Sequence, residues 1–130
     1  MTKKEFIIEQ LSPYFINNKT CGYDESKKQC EYKTAAGLMC VAGKNFAEYK
    51  KEYEDNPIKD ILEQYGQIIF KPEAQSVLTD REWAYMQQIH DGVAQWDVCD
   101  VIERIELLEK ESKLELQELK DLYYKHLEVK

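Results

Sequence analysis

A chain of 130 residues, 43% hydrophobic and 33% charged, has the size of one domain and the balance of an ordered, helix-rich protein rather than a disordered one. Its formal net charge of −7 leaves no basic strip from which counterions could be released, so direct nucleic-acid binding is disfavoured. No apolar run approaches the roughly 18 residues of a membrane span, and the start "MTKKEFIIEQ" alternates charge with apolar residues, so neither a span nor a signal peptide is expected and the protein is assigned to the cytoplasm.

The charge is unevenly placed. Residues 1–34 hold six Lys against five acids, so the acidity lies in the rest, with its longest run at "EYKKEYEDNPIKD". Such a field favours a protein partner with a basic surface, including one whose own nucleic-acid groove is basic.

In chain order, Thr2 and Glu5 stand at capping-box spacing, and Phe6, Ile7 and Leu11 follow on one face, predicting a helix that Ser12-Pro13 ends. Residues 16–28 are rich in turn formers and read as a loop. In "CEYKTAAGLMC" the alternation of "CEYK", the turn "TAAG" and the apolar "LMCVAG" predict a β-hairpin over about 30–42, with a helix from Leu38 as the rival. Phe46, Tyr49 and Tyr53 predict a short helix broken at Asn56-Pro57. Ile58, Ile61, Leu62 and Tyr65 predict another stopped by Gly66, and "QIIF" a short extended piece.

Thr79 and Glu82 repeat the capping-box spacing ahead of a stripe of Met86, Ile89, Val93 and Trp96, with Gly92 as a candidate stop. After Val98 the residues Val101, Ile105, Leu108, Leu116, Leu119, Tyr123 and Leu127 fall on one face of a single long helix. Glu106/Lys110, Glu109/Lys113 and Asp121/Lys125 pair along it at i, i+4, and Ser112 interrupts the apolar face. The fold class is therefore α+β, mostly helical, with a compact unit over 1–100 and an amphipathic C-terminal helix over 101–130. That helix is also a candidate seam for a homodimer.

Cysteines and histidines are the residues that could carry chemistry. The spacings between Cys21, Cys30, Cys40 and Cys99, with eight, nine and fifty-eight residues between successive ones, lack the close pairs of structural zinc sites. A composite zinc site of Cys30, Cys40 and His90 is one reading, and otherwise no cofactor is expected. A nucleophile reading takes Cys40 with His90 and Asp91 or Asp97. It meets an objection, because neighbouring helix positions point about 100° apart and His90 and Asp91 would share a face only if the helix ended at Gly92. Thiols packed as small hydrophobes are the third reading. No phosphate-binding loop, H-E-x-x-H or EF-hand pattern is present.

Nine tyrosines, with Tyr49, Tyr53, Tyr65, Tyr85, Tyr123 and Tyr124 on predicted helices, point either to a contact surface or to core residues with polar tips. On the first reading the acidic face Glu48, Tyr49, Glu52, Tyr53, Glu54 and Asp55 binds the partner.

Cys30, Tyr32, Lys33, Gly37, Cys40 and Gly43, followed by Gln87, His90 and Asp91, form a pattern that resembles a group of small uncharacterised proteins of phages and bacteria. These carry a C-x-Y-R stretch, then G-x-x-C-A-x-G, then L-Q-x-x-H-D. The resemblance covers about residues 5–100. Lys33 stands where arginine is usual, Val41-Ala42 departs from the usual order, and the helix after Val98 is outside the pattern. The resemblance implies a phage or mobile-element origin and no particular activity. Together with size and charge it leads to the expectation of a non-enzymatic accessory protein that binds and inhibits a host protein, such as a CRISPR effector in a counter-defence role. A thiol- or zinc-dependent protein built on Cys30, Cys40 and His90 is the alternative.

Overall fold

The computed structural model describes residues 1–95 and 100–127. Their architecture is α+β and mostly helical, with α1 at Lys3–Ile16, a two-stranded antiparallel ladder of β1 (Tyr23–Asp24) and β2 (Gln29–Cys30), then α2 at Ile58–Tyr65, α3 at Asp80–Ala94, α4 at Val101–Ser112 and α5 at Gln117–Leu127. Short 3-10 turns link them, among them Gly43–Asn45 and Lys51–Asp55. No helix among the described residues is long and apolar enough to cross a membrane.

Helix α3 is the spine: α1, α2 and α4 all pack on it, and α5 closes over α1 and α4. Its start is fixed as the spacing predicts. The Thr79 hydroxyl accepts from the Glu82 amide at 3.1 Å while Glu82 Oε1 accepts from the Thr79 amide at 2.8 Å. The same Glu82 carboxylate receives Lys3 Nζ at 2.8 and 3.0 Å, tying the first turns of α1 and α3 together. Trp83, wholly buried, fills the centre with Phe70 at 4.5 Å and Phe6 at 6.0 Å between ring centroids.

Several boundaries differ from the sequence expectation. Helix α1 runs through Pro13 to Ile16, because Tyr14 and Phe15 on that last turn are core residues and their burial outweighs the lost backbone bond. Gly92 does not stop α3; it lies where α4 crosses closely, and a Cβ there would meet Val101 and Arg104 at 3.3 Å. The segment around Phe46 to Tyr53 is irregular chain and a 3-10 turn instead of a helix, whereas α2 ends at Gly66 with φ 80° as predicted. "QII" is a 3-10 turn after which Phe70 bridges Phe46. The ladder sits at 23–30, upstream of the expected hairpin. Within "CEYKTAAGLMC" the turn forms at Thr34–Gly37, but the strands reduce to one bridge between Lys33 and Met39.

The C-terminal segment is two helices. Lys113 takes the left-handed conformation (φ 62°) and caps α4 through its amide on the Glu109 carbonyl. Glu109 Oε2 then accepts from the Leu116 amide at 2.7 Å, and Lys120 Nζ returns to Glu109 at 2.9 Å and to Glu106 at 3.7 Å. The chain folds back, so Leu116 and Leu119, candidates for a dimer seam, are wholly buried inside the protomer. Asp97, Cys99 and Trp96 lie outside the described residues.

Two substitutions test this arrangement. Lys113→Gly, which removes the left-handed strain of a side-chain residue, is expected to stabilise the chain by about 0.5–1 kcal/mol in urea denaturation; a loss of about 1 kcal/mol, the cost of glycine inside a helix, would mean that the helix is continuous. Gly43→Ala puts a Cβ 2.0 Å from the Tyr32 carbonyl oxygen. We expect it to cost about 3 kcal/mol or more, against about 1 kcal/mol for Gly37→Ala, which meets strain but no clash.

Candidate functional site

Gly22, Cys30, the segment 40–43 and helix α3 meet at one place, and a donor-acceptor relay holds them. The Ala42 amide donates to Gln87 Oε1 at 3.2 Å, and Gln87 Nε2 donates to Asp91 Oδ1 at 3.2 Å. His90 Nδ1 lies 2.9 Å from the same Asp91 oxygen, and the Gly22 amide donates to His90 Nε2 at 3.0 Å. A backbone amide only donates, so Nε2 is the acceptor and the imidazole proton sits on Nδ1, directed at the carboxylate.

Close packing brings the relay's ends within reach. A Cβ on Gly22 would lie 2.3 Å from the Cys40 amide nitrogen and 2.5 Å from the Glu31 carbonyl oxygen, so the backbones at 22, 31 and 40 touch only because residue 22 is glycine. His90 is wholly buried, with the Tyr14 ring edge-on at 4.8 Å, and the Tyr14 hydroxyl donates to the Met39 carbonyl at 2.8 Å. Lys44 Nζ stands 4.6 Å from the Tyr14 ring centroid and donates to the Gln10 carbonyl at 2.8 Å. Burial holds its ammonium below the ordinary lysine range.

The thiols of this cluster are held protonated. Burial, then the Asp91 charge, pushes Cys21 up to about 12. Burial also pushes Cys40 up to about 12, although the Gly43 amide donates to its sulfur at 3.2 Å. Cys30 is raised by burial and then by Asp91.

The expected sets are only partly assembled. One donor atom each of Cys30, His90 and Asp91 lies within 4.8 Å of the others, and Cys40 is not in that group. These residues do not fit zinc: a metal on Nδ1 would move the ring proton to Nε2, where it would oppose the Gly22 N–H. For the nucleophile reading, His90 Nε2 already accepts from the Gly22 amide, and burial raises the thiols. The helical objection to a His90–Asp91 pair is itself corrected, because the side chains close the 2.9 Å contact although α3 continues to Ala94.

Residues 48–55 divide as well. Tyr53 is 3% exposed and packs against Phe46 and Tyr65, so it belongs to the core. Glu54 is an internal bracket: it accepts from the Tyr32 amide at 2.9 Å, the Lys33 amide at 3.0 Å and the Tyr49 hydroxyl at 2.6 Å. Glu48, Glu52 and Asp55 remain exposed.

Beside them opens a cleft of about 370 Å³ between β2, the Lys51–Asp55 turn with the start of α2, and α3. Glu31, Glu54, Asp55 and Asp91 stand in its wall with a single lysine, Lys59. Sequence reasoning passed over Glu31 and Gly22, which carry no motif of their own.

No family model matches the chain, and no curated protein or solved structure matches it.

The thiol assignment is open to direct measurement. With Cys99 replaced by serine, iodoacetamide at pH 8 should leave the folded chain unlabelled and label it fully in urea. A native thiol that reacts at the rate of a free cysteine would contradict the protonated cluster. Raised folded values mean that stability is complete below the ordinary thiol range near 9 and is lost as pH rises toward about 12. The thermal midpoint should therefore fall across that window.

Proposed function

We propose that this protein is a non-enzymatic binding protein of phage type that engages the basic surface of a host protein through the face formed by Glu48, Glu52, Asp55 and the acid-walled cleft. The observation that carries the reading is the cleft, in which four carboxylates face one lysine. Carboxylates gathered on a concave wall raise the local concentration of cationic groups and select partners by charge. The Cys40 thiol and the His90 imidazole already hold hydrogen bonds within the fold, which supports a binding reading over a catalytic one. Acting in the host cytoplasm, such a face would occlude a basic groove by steric and electrostatic blockade. A CRISPR effector, whose groove is basic because it holds nucleic acid, is the kind of target this chemistry suits.

The experiment compares two triple variants of equal charge change in binding to an array of Arg- and Lys-rich peptides at low and high salt. Glu48→Lys, Glu52→Lys and Asp55→Lys together should weaken binding by about tenfold or more, an effect of about 1.4 kcal/mol. Glu103→Lys, Glu118→Lys and Asp121→Lys, at exposed positions elsewhere on the chain, should leave it within about twofold. Equal losses in both variants would reduce the attraction to net charge and overturn the face.

A further inference from the structure

Helix α5 is joined to the body by a turn whose residues would equally continue the helix. Residues 113–116 separate α4 from α5, and no glycine, proline or asparagine stands between Glu109 and Asp121. Lys113 nevertheless holds φ at 62°, a region that a side-chain residue enters at a cost glycine does not bear. Straightening would return Lys113 to helical geometry, give the amides at 114–116 carbonyl partners at 110–112, and set Lys113 at i, i+4 from Glu109. In exchange, the folded-back turn has the Glu109 carboxylate on the Leu116 amide at 2.7 Å.

Straightening within one copy fails, because it carries the wholly buried Leu116 and Leu119 into water together with the half-buried Leu122 and Tyr123. The site these side chains occupy is built by other parts of the chain. Helix α5 lies on α1 and α4, with Lys4 Nζ 2.8 Å from Glu115 and Lys120 Nζ 2.9 Å from Glu109. A second copy presents the same surface, so an extended helix can set α5 there and rebury the same side chains. The strain of the turn is then relieved in both chains while the contacts outside the turn are kept, and short strained hinges favour such an exchange.

We infer that two copies of this chain exchange α5, with α4 and α5 straightened into one helix over 101–127 and each α5 docked on α1 and α4 of the other copy. The exchange is independent of the acidic face, since Glu48, Glu52 and Asp55 lie on none of these helices.

The test is the mass of the full chain by sedimentation velocity, after refolding from urea at high and at low protein concentration. Wild type should show a dimer in the concentrated sample. Lys113→Gly, which removes the strain from the folded-back turn, should weaken that dimer about tenfold or more. Lys113→Val should strengthen it about fivefold or more, because a β-branched residue suits the left-handed region least. Lys120→Glu and Glu109→Lys then report whether α5 has changed chains. Alone, each variant sets like charges across the contact between residues 109 and 120. Refolded together, they set opposite charges in both contacts of an exchanged heterodimer, so the mixture should hold about fivefold more dimer than either variant alone. A chain that stays monomeric in the wild-type, Lys113→Gly and Lys113→Val samples, a dimer that Lys113→Gly leaves unchanged, or a folded mixture no more dimeric than its components would each overturn the exchange. Should the two charge variants fail to fold both alone and together, the Lys113 series decides by itself.

Discussion

The hydrogen bond from the Gly22 amide to His90 Nε2 is the contact on which the rest of the arrangement depends. A backbone N–H has one polarity, so it settles the imidazole tautomer, and the tautomer settles what Asp91 must do. At the other end the Ala42 amide fixes the orientation of Gln87 in the same way, and the two chains of donors converge on a single carboxylate oxygen. The carboxylate is the only group in the relay with no N–H of its own, so both chains of donors can end on it. A histidine placed there without the aspartate would bury an unmatched N–H, and without the glycine amide an unmatched lone pair. Loops 21–22 and 40–43 are held to α3 by complementarity at both ends.

This constraint explains why a chain with so little sheet can hold long irregular segments in its core. Cys40, Val41 and Ala42 are wholly buried outside any helix or strand, where backbone polar groups must find partners one by one. They do so through the relay, the Gly43 amide on the Cys40 sulfur, and the Cys40 amide on the Tyr32 carbonyl at 3.3 Å. Glycine at 22 and 43 lets the backbones approach closely enough for this to work. In place of the strands expected around Cys30 and Cys40, the chain keeps one bridge, Lys33 to Met39, and these side-chain-mediated contacts.

What could be read from the residues followed from local chemistry. Both capping boxes and the glycine stop of α2 are decided within a turn of chain, and they stand where the spacing puts them. The break at Lys113 was hidden because its signals favour continuity: lysine seldom adopts the left-handed conformation, and Glu109 offers Lys113 an i, i+4 partner. Only the burial of Leu116 and Leu119 against the body decides for two helices, and that is a tertiary fact. At the site, Cys30, Cys40 and His90 are legible as candidate ligands, and Asp91 as a partner of Cys40 and His90 in a nucleophile reading. Their true roles depend on Gly22, which spacing cannot bring beside His90. Tyr53 and Glu54 were placed on a binding face by their neighbours' charge, yet one fills the core and the other brackets three donors.

Burial and nearby charge set the state of the thiols in this chain. A reactive cysteine requires a nearby cation and an idle base to stabilise its thiolate. Here the carboxylate of Asp91 works against ionisation of Cys21, Cys30 and Cys40, and Lys44, the cation that favours the Cys21 thiolate, is engaged by the Gln10 carbonyl and the Tyr14 ring. The amides, imidazole and amide side chain of the relay are matched with one another and with Asp91 Oδ1. Among the described residues the buried side-chain atoms without a hydrogen-bond partner are Trp83 Nε1 in the core and Glu31 Oε1 beside the cleft. Charge that folding leaves unneutralised at a concave surface is available to an incoming cation, whereas charge neutralised in the core is not.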